Sequence, residues 1–394
     1  MKPLILKMYK ILKLNNIAKE GIESFPEDTY IVENDITDPD AIILRSFDMR
    51  SMDIPSTLKA VGRAGTGVNN IPLETLSDLA VPVFNAPGAN ANAVKELVIA
   101  AILICARNII QARTYIEMID ESKDFEKEIE FGKKQYVGYE LPGRTIGVIG
   151  LGSIGVRVAN TCLNLGMNVV GFDPLMTVQS AWNLQPGIEK SDNLEKLLKQ
   201  ADIISIHIPL TDNTKDFINT EELSAMKNDS ILINLSRAEI VNNNAIQTAL
   251  NKKSIKTYVT DFPDKTLLKN DNVFLLPHLG ASTKEAEIKC AKMVAMSLKS
   301  FLEDGNINHS VNFPDVQLAR TTGYRLTITN QNRPNIVGQF TTCLGEENIN
   351  INDLSHKNYN NIGYTVLDVD KPLTDDILQS ISQIEGVITA KNLN

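Results

Sequence analysis

Residues 145–155 read Thr-Ile-Gly-Val-Ile-Gly-Leu-Gly-Ser-Ile-Gly, and this segment decides the fold of the middle of the chain. Its pattern is that of a buried strand, a glycine turn and the beginning of a helix, with Gly150, Gly152 and Gly155 at the spacing G-x-G-x-x-G. The first glycine permits a tight turn, the second lets a pyrophosphate approach the backbone, and the third lets the helix pack against the strand. The segment therefore predicts a dinucleotide-binding site, with the phosphates at the N-terminus of the helix.

The acid Asp173 indicates which dinucleotide is bound. It ends a second apolar strand, 168–172, where a carboxylate accepts hydrogen bonds from a ribose diol. The same negative charge would repel a 2′-phosphate, so we expect NAD and not NADP as the cofactor. Ser153 and Ile154 lie within the glycine loop and belong to the same expected cofactor site.

Composition and charge are those of an ordinary globular protein. With 394 residues, 43% apolar and 22% charged, the chain has the size and composition of two or three domains. The formal net charge of −9, with both signs mixed, argues against nucleic acid and anionic membranes as partners. No apolar run is long enough to cross a membrane and the N-terminus lacks the pattern of a signal peptide, so we expect a cytoplasmic protein. The four cysteines and four histidines are scattered, which predicts reduced thiols and no metal site.

Two long stretches of the chain alternate short apolar strands with helical segments, which indicates parallel sheets flanked by helices. The first stretch predicts strands at 3–8, 30–32, 41–44, 60–62 and 81–84. The second stretch forms a complete doubly wound sheet in this interpretation. Its predicted strands are 145–149, 168–172, 202–206, 230–234, 256–260 and 272–276.

Two long helical patterns suggest how these sheets are connected. Residues 93–117 are apolar on all sides, which is typical of a helix buried at a domain or subunit interface. We therefore expect a homodimer or a homotetramer. A second long helix, 282–302, would return the chain to the first sheet and make the first domain discontinuous.

The C-terminal part has a different order of predicted strands and helices. A polar linker covers 305–320. After it, the pattern predicts the order β-α-β-β-α-β of a ferredoxin-like domain. The expected strands are 325–329, 349–357, 363–369 and 387–390, and the expected helices are 336–346 and 374–384.

Six motifs in a fixed order carry a resemblance to a known family. They are Val61-Gly-Arg-Ala-Gly-Thr-Gly-Val68, Asn85-Ala-Pro-Gly88, the glycine motif, His207-Ile-Pro-Leu210, Asn234-Leu-Ser-Arg237 and Pro277-His-Leu-Gly-Ala-Ser-Thr283. Through them, residues 1–315 resemble the D-2-hydroxyacid dehydrogenases, and the tail is similar to an ACT domain, a module that often binds amino acids.

The resemblance implies an α/β fold with two doubly wound parallel-sheet domains. A Rossmann NAD-binding domain, 96–284, would be inserted in a flavodoxin-like substrate domain formed by 1–95 and 285–315. A ferredoxin-like α+β domain of the ACT type would follow at 322–394.

Hydride exchange between nicotinamide and a 2-keto acid needs a proton-exchanging group, a cation for the carboxylate and an acid that tunes the first group. His278 follows an apolar strand, at the kind of strand end where ligands lie in this architecture, and imidazole has a suitable pKa. Arg237 follows another strand, and a guanidinium can hold a carboxylate through two hydrogen bonds. The resemblance implies that His278 exchanges the proton and that Arg237 orients the substrate. The partner acid is Asp264, which is the better match by position, or Asp261.

The resemblance also implies further contacts with cofactor, substrate and effector. Beyond the glycine loop, the expected cofactor-binding residues are Thr66, Pro209, Thr214 and Gly280. Together with Arg237, the expected substrate-binding residues are Arg45, Ser46, Arg63 and Gly65. In the tail, the residues that match effector positions, for an amino acid such as L-serine, are Asn330, Asn332 and Asn350.

Within the family the likeness is greatest to enzymes that act on D-3-phosphoglycerate. This implies NAD-dependent oxidation of that small phosphorylated 2-hydroxy acid to 3-phosphohydroxypyruvate, the entry to serine synthesis. Two alternatives stay open: another dehydrogenase of the family, such as a hydroxypyruvate or glyoxylate reductase, and a non-catalytic NAD(H)-sensing regulatory protein. The ACT-like tail argues against the first alternative, and the retention of His278 and Arg237 argues against the second.

Overall fold

The computed structural model describes residues 8–120, 122–268 and 270–393. The chain divides into two compact units. The first unit comprises the chain up to Asn90 together with Lys284–Asn394, and the second unit is Ala91–Thr283. In the described part of the chain, none of the helices has both the length and the apolar character that crossing a membrane would need.

The first unit contains a five-stranded parallel sheet in the order β2-β1-β3-β4-β5. This is the flavodoxin-like order, in which the helices between strands cover the two faces. The strands are β1 (Tyr9–Leu14), β2 (Tyr30–Glu33), β3 (Ala41–Leu44), β4 (Ala60–Arg63) and β5 (Val83–Phe84), and the short helices of this part are α1 (Lys19–Ile22) and α2 (Leu73–Asp78).

The first strand of the described residues begins just after the predicted segment 3–8. Residues 3–7 of the expected strand 3–8 lie outside the described residues, and Met8 precedes β1 and is exposed. The strand begins at Tyr9 because this register places Ile11 and Leu12 in the core, where Ile11 pairs with Val32 on one side and Ala41 on the other.

The second unit is a seven-stranded parallel sheet in the order β12-β11-β10-β9-β6-β7-β8. Read from β8, this is the Rossmann order with one further strand, so the doubly wound fold is confirmed. The strands are β6 (Thr145–Ile149), β7 (Asn168–Phe172), β8 (Glu189–Lys190), β9 (Ile203–Ile206), β10 (Ile231–Asn234), β11 (Thr257–Thr260) and β12 (Val273–Leu275). The two residues of β8 are polar and exposed, which is why no apolar pattern announced that strand.

The second unit contains eight α-helices among its described residues. They are α3 (Ala91–Ala106), α4 (Ile109–Glu117), α5 (Phe125–Gly132), α6 (Gly155–Asn164), α7 (Val178–Trp182), α8 (Leu194–Gln200), α9 (Thr220–Ala225) and α10 (Asn243–Asn251). The prediction of a single helix over 93–117 is wrong, because Asn108 adopts a left-handed conformation, with a φ of 49°, and separates α3 from α4. Helix α3 buries one side in the core, whereas α4 has no buried residue.

The tail forms a four-stranded antiparallel sheet in the order β14-β15-β13-β16, which confirms the predicted ferredoxin-like plan. Its helices cover one face through Phe340, Leu344, Ile377 and Ile381. The elements of this region are α11 (Lys284–Asp304), β13 (Tyr324–Gln331), α12 (Ile336–Glu346), β14 (Ile351–Tyr359), β15 (Ile362–Val369), α13 (Asp375–Ser382) and β16 (Val387–Asn392).

The segment 305–320 is packed against the tail, so the expectation of a plain polar linker is wrong. Tyr364 and Val366, on the sheet face away from the helices, belong to the same buried cluster as Phe313, Val316 and Leu318. The Tyr364 hydroxyl also donates a hydrogen bond of 2.7 Å to the carbonyl of Gly305. Most of the few apolar residues of the segment thus join the tail sheet to the rest of the first unit.

A buried ion pair reinforces this junction. The Arg325 guanidinium on β13 contacts both carboxylate oxygens of Asp368 on β15, at 2.6 and 3.0 Å, and both side chains are inaccessible to solvent. Arg325 also donates to the carbonyls of Asp304 and Leu318, and Thr321 donates to Asp368 through its N–H and its hydroxyl. The pair therefore ties the tail sheet to the end of α11 and to the connecting segment.

Candidate functional site

The glycine loop between β6 and α6 has the geometry that a dinucleotide phosphate needs. Gly150 has a φ of 88°, and a Cβ there would meet the carbonyl of His207. A Cβ at Gly152 would meet nothing within 4 Å, so the loop is open on that side, whereas one at Gly155 would collide with the carbonyl of Gly150. The close approach of α6 to β6 thus requires the third glycine. The Ile154 side chain does not cap α6, which leaves its first-turn N–H groups suited to a phosphate.

Asp173 lies at the end of β7 and is joined to this loop. Its Oδ2 accepts a hydrogen bond of 2.8 Å from the N–H of Leu151, and its Oδ1 accepts one of 2.9 Å from the N–H of Leu175. Each carboxylate oxygen keeps a further lone pair, which a ribose hydroxyl can use. The acid is therefore fixed beside the glycine loop, where the sequence pattern places a ribose-binding group.

Three polar residues follow three neighbouring strands of the same sheet. Arg237 follows β10, Asp261 follows β11, and His278 follows β12. Because these strands are parallel, the three residues share the carboxyl edge of the sheet with the glycine loop. The structure thus brings the predicted arginine, the predicted histidine and one of the two predicted acids to one edge.

His278 occupies a turn that Asp261 holds at two points. The His278 N–H donates to the carbonyls of Asp261 and Leu276, at 2.9 and 3.1 Å, and the Gly280 N–H donates to Oδ2 of Asp261 at 2.9 Å. His278 has a φ of 51°, a left-handed conformation that is uncommon for a residue with a side chain. Its ring is exposed and meets the ring of Phe262 edge-on, with the ring centroids 5.0 Å apart.

The carboxylate of Asp261 is deeply buried, with 1% of its surface exposed. Its Oδ1 atom has no hydrogen-bond partner among the residues that the structure describes. Burial raises the pKa of Asp261 above its ordinary value, and the hydrogen bond from Gly280 and the positive charges of His278 and Arg237 oppose that rise. Asp261 is therefore electrostatically coupled to both of the other residues.

Arg237 is held by its own loop. Its Nη1 donates to the carbonyl of Ser236 at 2.6 Å, and Asn234 donates to the carbonyl of Arg237 at 2.8 Å. Ser236 in turn donates through its hydroxyl to the carbonyl of Ile206 on the adjacent strand. The half-buried guanidinium still has other N–H groups for a carboxylate.

Asp264, the better match by position, does not lie at the histidine turn. Its Oδ1 accepts hydrogen bonds from the N–H and the hydroxyl of Thr266, and its Oδ2 accepts one from Asn243 at 3.2 Å. The hydrogen bonds from Thr266 hold the pKa of the partly exposed Asp264 below its ordinary value. The Asp264 side chain thus bonds to its own loop. Asp261, and not Asp264, is the acid that lies beside His278.

The remaining cofactor candidates of the second unit surround the same edge. Gly280 is buried at the histidine turn, and Pro209 and Thr214 form an exposed turn after β9, closed by a 2.6 Å hydrogen bond from the Thr214 hydroxyl to the Pro209 carbonyl. His207 lies at the end of β9, and burial lowers its pKa to about 3. Its imidazole is therefore neutral near pH 7, which suits a structural role beside the glycine loop.

The predicted substrate residues other than Arg237 lie together in the first unit, at the ends of β3 and β4. Arg45 forms an ion pair of 2.7 Å with Glu287 in the first turn of α11, and Ser46 is exposed. The Arg63 Nε donates to the carbonyl of Arg45, and a Cβ at Gly65 would collide with the Arg63 guanidinium. Nothing in the sequence marked Glu287 as a partner of this group, since the two chain segments meet only through the fold.

Thr66 also belongs to the first unit and lies in a loop with the motif at 85–88. Its hydroxyl donates to Asn90 Oδ1 at 3.2 Å and to the Ala86 carbonyl at 3.4 Å, and Asn85 donates to the Thr66 carbonyl at 2.7 Å. The two sequence motifs are thus joined by direct hydrogen bonds, which fixes the conformation of the loop around Thr66.

The three asparagines of the tail do not form one site within a single chain. Asn330 is fully buried, donates to the Gln331 carbonyl, and pairs with Gly363 near the beginning of β15. Asn332 is exposed beside Asn330, whereas the Asn350 N–H donates to Asp370, just beyond the end of β15. The length of a strand separates them, roughly 20 Å.

A family model ties the second unit to known enzymes. The NAD-binding domain of D-isomer specific 2-hydroxyacid dehydrogenases matches residues 99–280. The D-3-phosphoglycerate dehydrogenase of Methanocaldococcus jannaschii is 35% identical over 290 residues, which are 71% of this chain and 53% of that protein. The matched region thus spans about half the length of that relative. The D-3-phosphoglycerate dehydrogenase of Escherichia coli K12 is 30% identical over 380 residues, which are 92% of this chain and 88% of that protein.

Solved structures show the same fold. D-mandelate dehydrogenase of Rhodotorula graminis, in its apo form, has a TM-score of 0.67 at 21% identity and covers 79% of this chain and 100% of its own. The NAD+-bound 3-phosphoglycerate dehydrogenase of Entamoeba histolytica has a TM-score of 0.61 at 23% identity, with 77% of this chain and 98% of its own covered. At these identities, the likeness concerns the fold alone.

Proposed function

Because this chain belongs to the D-isomer specific 2-hydroxyacid dehydrogenase family, we propose that it oxidises D-3-phosphoglycerate to 3-phosphohydroxypyruvate with NAD, the first step of L-serine biosynthesis. Support for this substrate comes from relatives at 30–35% identity that carry the name D-3-phosphoglycerate dehydrogenase. One of them matches over 88% of its own length, whereas the chain spans about half of another.

One observation carries the proposal: Arg237, Asp261 and His278 follow three adjacent parallel strands at the edge that also holds the glycine loop. A carboxylate-binding cation, a buried acid and an imidazole are the groups that oxidation of a 2-hydroxy acid requires. A protein that only binds NAD(H) would have no use for this set of three residues. The set therefore favours an enzyme over a non-catalytic NAD(H) sensor.

The roles follow from the chemistry of each side chain. NAD, when bound, supplies the acceptor for the hydride that leaves C2 of the substrate. His278 accepts the proton of the C2 hydroxyl, so that a carbonyl forms as the C–H bond breaks. Arg237 holds the substrate carboxylate and stabilises the developing carbonyl oxygen. Asp261 holds the His278 turn and stabilises the imidazolium by its negative charge.

The cofactor would be held mainly by the second unit. The loop from Gly150 to Gly155 suits the pyrophosphate, with Ser153 and Ile154 at the beginning of α6, and Asp173 suits the ribose diol. The further cofactor contacts in this proposal are Thr66, Pro209, Thr214 and Gly280. This arrangement fits NAD, because Asp173 is a carboxylate and would repel the 2′-phosphate of NADP.

A substrate phosphate needs cations besides Arg237, and we propose two arginines of the first unit, named by the family resemblance, for that role. Arg45 and Arg63 adjoin each other through a 3.1 Å hydrogen bond, with Ser46 and Gly65 in the same group. Two arginines at adjacent strand ends suit an anion with two negative charges. We therefore assign the phosphate of the substrate to this cluster.

One observation favours a second candidate function. Glu287 pairs with Arg45 at 2.7 Å and neutralises part of the positive charge that a phosphate would need. A reductase of a non-phosphorylated 2-keto acid, such as hydroxypyruvate or glyoxylate, would tolerate this pairing. The two functions differ in how much the reaction depends on Arg45.

The test is a comparison of substrates in the purified wild-type protein. Initial rates of NADH formation are measured with D-3-phosphoglycerate, D-glycerate and D-lactate. The proposal expects the phosphorylated acid to be turned over with the highest kcat/KM, and the Arg45→Gln variant to lose more of it for D-3-phosphoglycerate than for D-glycerate. Arg50→Gln is the matched control, because Arg50 is exposed and bonded only locally to Asp48. Turnover of the non-phosphorylated acids alone would support the second candidate.

Oligomerisation and feedback complete the proposal. Residues 103–137 expose several large apolar side chains, which supports a homodimer or homotetramer. These side chains are Leu103, Ile109, Ile110, Ile116, Phe125, Phe131 and Val137.

For the tail we propose L-serine as the effector. Asn332 and Asn350 would be exposed contacts from different chains, since one chain does not bring them together. A reaction that uses phosphorylated intermediates of serine synthesis would place the protein in the cytoplasm.

A further inference from the structure

The ring of His278 is not oriented by a hydrogen bond. Among residues 8–120, 122–268 and 270–393, no side chain or carbonyl forms a hydrogen bond with its imidazole. Asp261 secures only the backbone of the turn, through the His278 and Gly280 N–H groups. A proton-exchanging imidazole must nevertheless be aimed, because a small misplacement of a catalytic group lowers the rate strongly.

The aromatic ring of Phe262 is the group that meets the imidazole. The two ring centroids lie 5.0 Å apart with an angle of 60° between the ring planes, which is a favourable edge-to-face arrangement. Phe262 immediately follows Asp261, and its N–H donates to the Thr260 hydroxyl at 3.2 Å. The loop that carries Phe262 is therefore fixed to the end of β11 and, through Asp261, to the histidine turn.

The backbone of His278 makes such support necessary. A left-handed residue with a side chain is strained and persists only where its surroundings hold it. His278 is also exposed, so that without a neighbouring ring its imidazole would be free to turn into solvent. The strained turn and the ring contact occur at the same residue.

We propose that Phe262 is a positioning residue for His278, and that its edge contact holds the imidazole in the orientation that exchanges a proton with the substrate oxygen. This inference rests on the proposed role of His278. In this proposal Phe262 orients the His278 imidazole, a role that a hydrogen-bonded acid would otherwise have. Asp261 supplies the negative charge that stabilises the imidazolium.

The experiment compares Phe262→Leu, which removes the ring and keeps an apolar side chain, with Phe262→Tyr, which keeps the ring. Phe274→Leu is the control, because it makes the same change on β12, the strand that leads to His278. For Phe262→Leu we expect kcat to fall about 3- to 10-fold, the factor that corresponds to the typical energy of an edge-to-face pair. Its KM values and its NAD affinity stay unchanged, and Phe262→Tyr retains the wild-type kcat.

A second measurement does not depend on turnover. In the NMR spectrum, ring signals of His278 are assigned by their loss in His278→Asn; the protein has four histidines in all. The ring current of Phe262 displaces these signals in the wild-type protein and in Phe262→Tyr, and they move to the position of a freely rotating histidine in Phe262→Leu. Unchanged His278 signals or an unchanged kcat in Phe262→Leu would overturn the inference, as would an equal loss of kcat in Phe274→Leu. If wild-type protein oxidises no 2-hydroxy acid, the proposed function fails, and the NMR result alone decides whether Phe262 positions the ring.

Discussion

The buried ion pair of the tail permits a quantitative prediction. Replacing Arg325 by Met leaves the Asp368 carboxylate without its guanidinium in a place that solvent does not reach. Among the described residues, the Thr321 N–H and hydroxyl are then its remaining donors. Breaking one partner of a buried pair in this way costs about 3–5 kcal/mol of the free energy of unfolding. We expect a loss of this size in the urea-induced unfolding of Arg325→Met, followed by far-ultraviolet circular dichroism.

Two control variants make the expectation specific. Arg320→Met removes a neighbouring arginine whose contact with Asp304, at 3.3 Å, is partly exposed, so its loss should be about 1 kcal/mol or less. The double variant Arg325→Met/Asp368→Leu removes both charges and should recover most of the loss, because no unpaired charge stays buried. A loss in Arg325→Met as small as in Arg320→Met, or no recovery in the double variant, would refute this account of how the tail is attached.

The same pair predicts a dependence on pH. Burial alone would raise the pKa of Asp368, but the hydrogen bonds from Arg325 and Thr321 hold it below its ordinary value. A carboxyl whose pKa is lowered by folding stabilises the protein above its unfolded pKa, about 3.9, and loses that contribution as the pH falls through the lower folded value. In Arg325→Met, burial raises the pKa of the unpaired Asp368 carboxyl, so the difference in unfolding free energy between wild type and variant should be largest near neutral pH and shrink as the pH falls and that carboxyl is protonated. A difference that grew on acidification would contradict the sign of the shift.

Three further predictions concern the site and the assembly. His278→Asn should lower kcat by about 10²- to 10⁴-fold with little change in NAD affinity, measured by initial rates and by calorimetric titration, and an equal loss of affinity would argue against proton exchange. Asp173→Asn keeps an oxygen for the Leu151 N–H but removes the charge, so the Kd for NAD should rise about tenfold while the discrimination against NADP falls; unchanged discrimination would contradict the ribose assignment. Ile110→Lys should lower the mass found by light scattering if the exposed apolar face of α4 joins subunits, whereas an unchanged mass would place the interface elsewhere.

Much of the fold could be read from the sequence because local pattern and tertiary structure agree there. The glycine spacing and the buried strands of the second unit predict the doubly wound sheet, since a parallel strand covered on both faces has to be apolar. The same holds for the tail, where helix α12 begins and ends at the predicted residues 336 and 346. The two-residue strand β8 could not be found in this way, because it has no buried side chain.

Other features depend on contacts that no local pattern encodes. The left-handed Asn108 divides a continuous apolar stretch into α3 and α4, and an asparagine in a run of helix-forming residues is too weak a signal to predict the break. The segment 305–320 looks polar, yet Phe313 and Val316 are buried because the tail sheet covers them. In such cases the structure of a segment depends less on its local sequence pattern than on the surface against which it packs.

Local sequence was also insufficient to identify the acid that lies beside His278. Asp261 and Asp264 are three residues apart in one loop, and position alone favoured Asp264. Asp264 turns outward to bond Thr266, whereas the Asp261 carboxylate turns inward, because the Gly280 N–H donates to it while the His278 N–H donates to the Asp261 carbonyl. The direction of a side chain in a loop depends on such donors, and they come from a different part of the sequence.

The most direct test of the catalytic assignment is the kcat/KM for D-3-phosphoglycerate of Asp261→Asn compared with Asp264→Asn. Both changes remove one carboxylate charge from the same loop and nearly preserve its shape. The account predicts a loss of at least about tenfold for Asp261→Asn, since a buried charge that stabilises the imidazolium is removed, and a value within about twofold of wild type for Asp264→Asn. A large loss confined to Asp264→Asn would contradict the group of Arg237, Asp261 and His278 as the catalytic set.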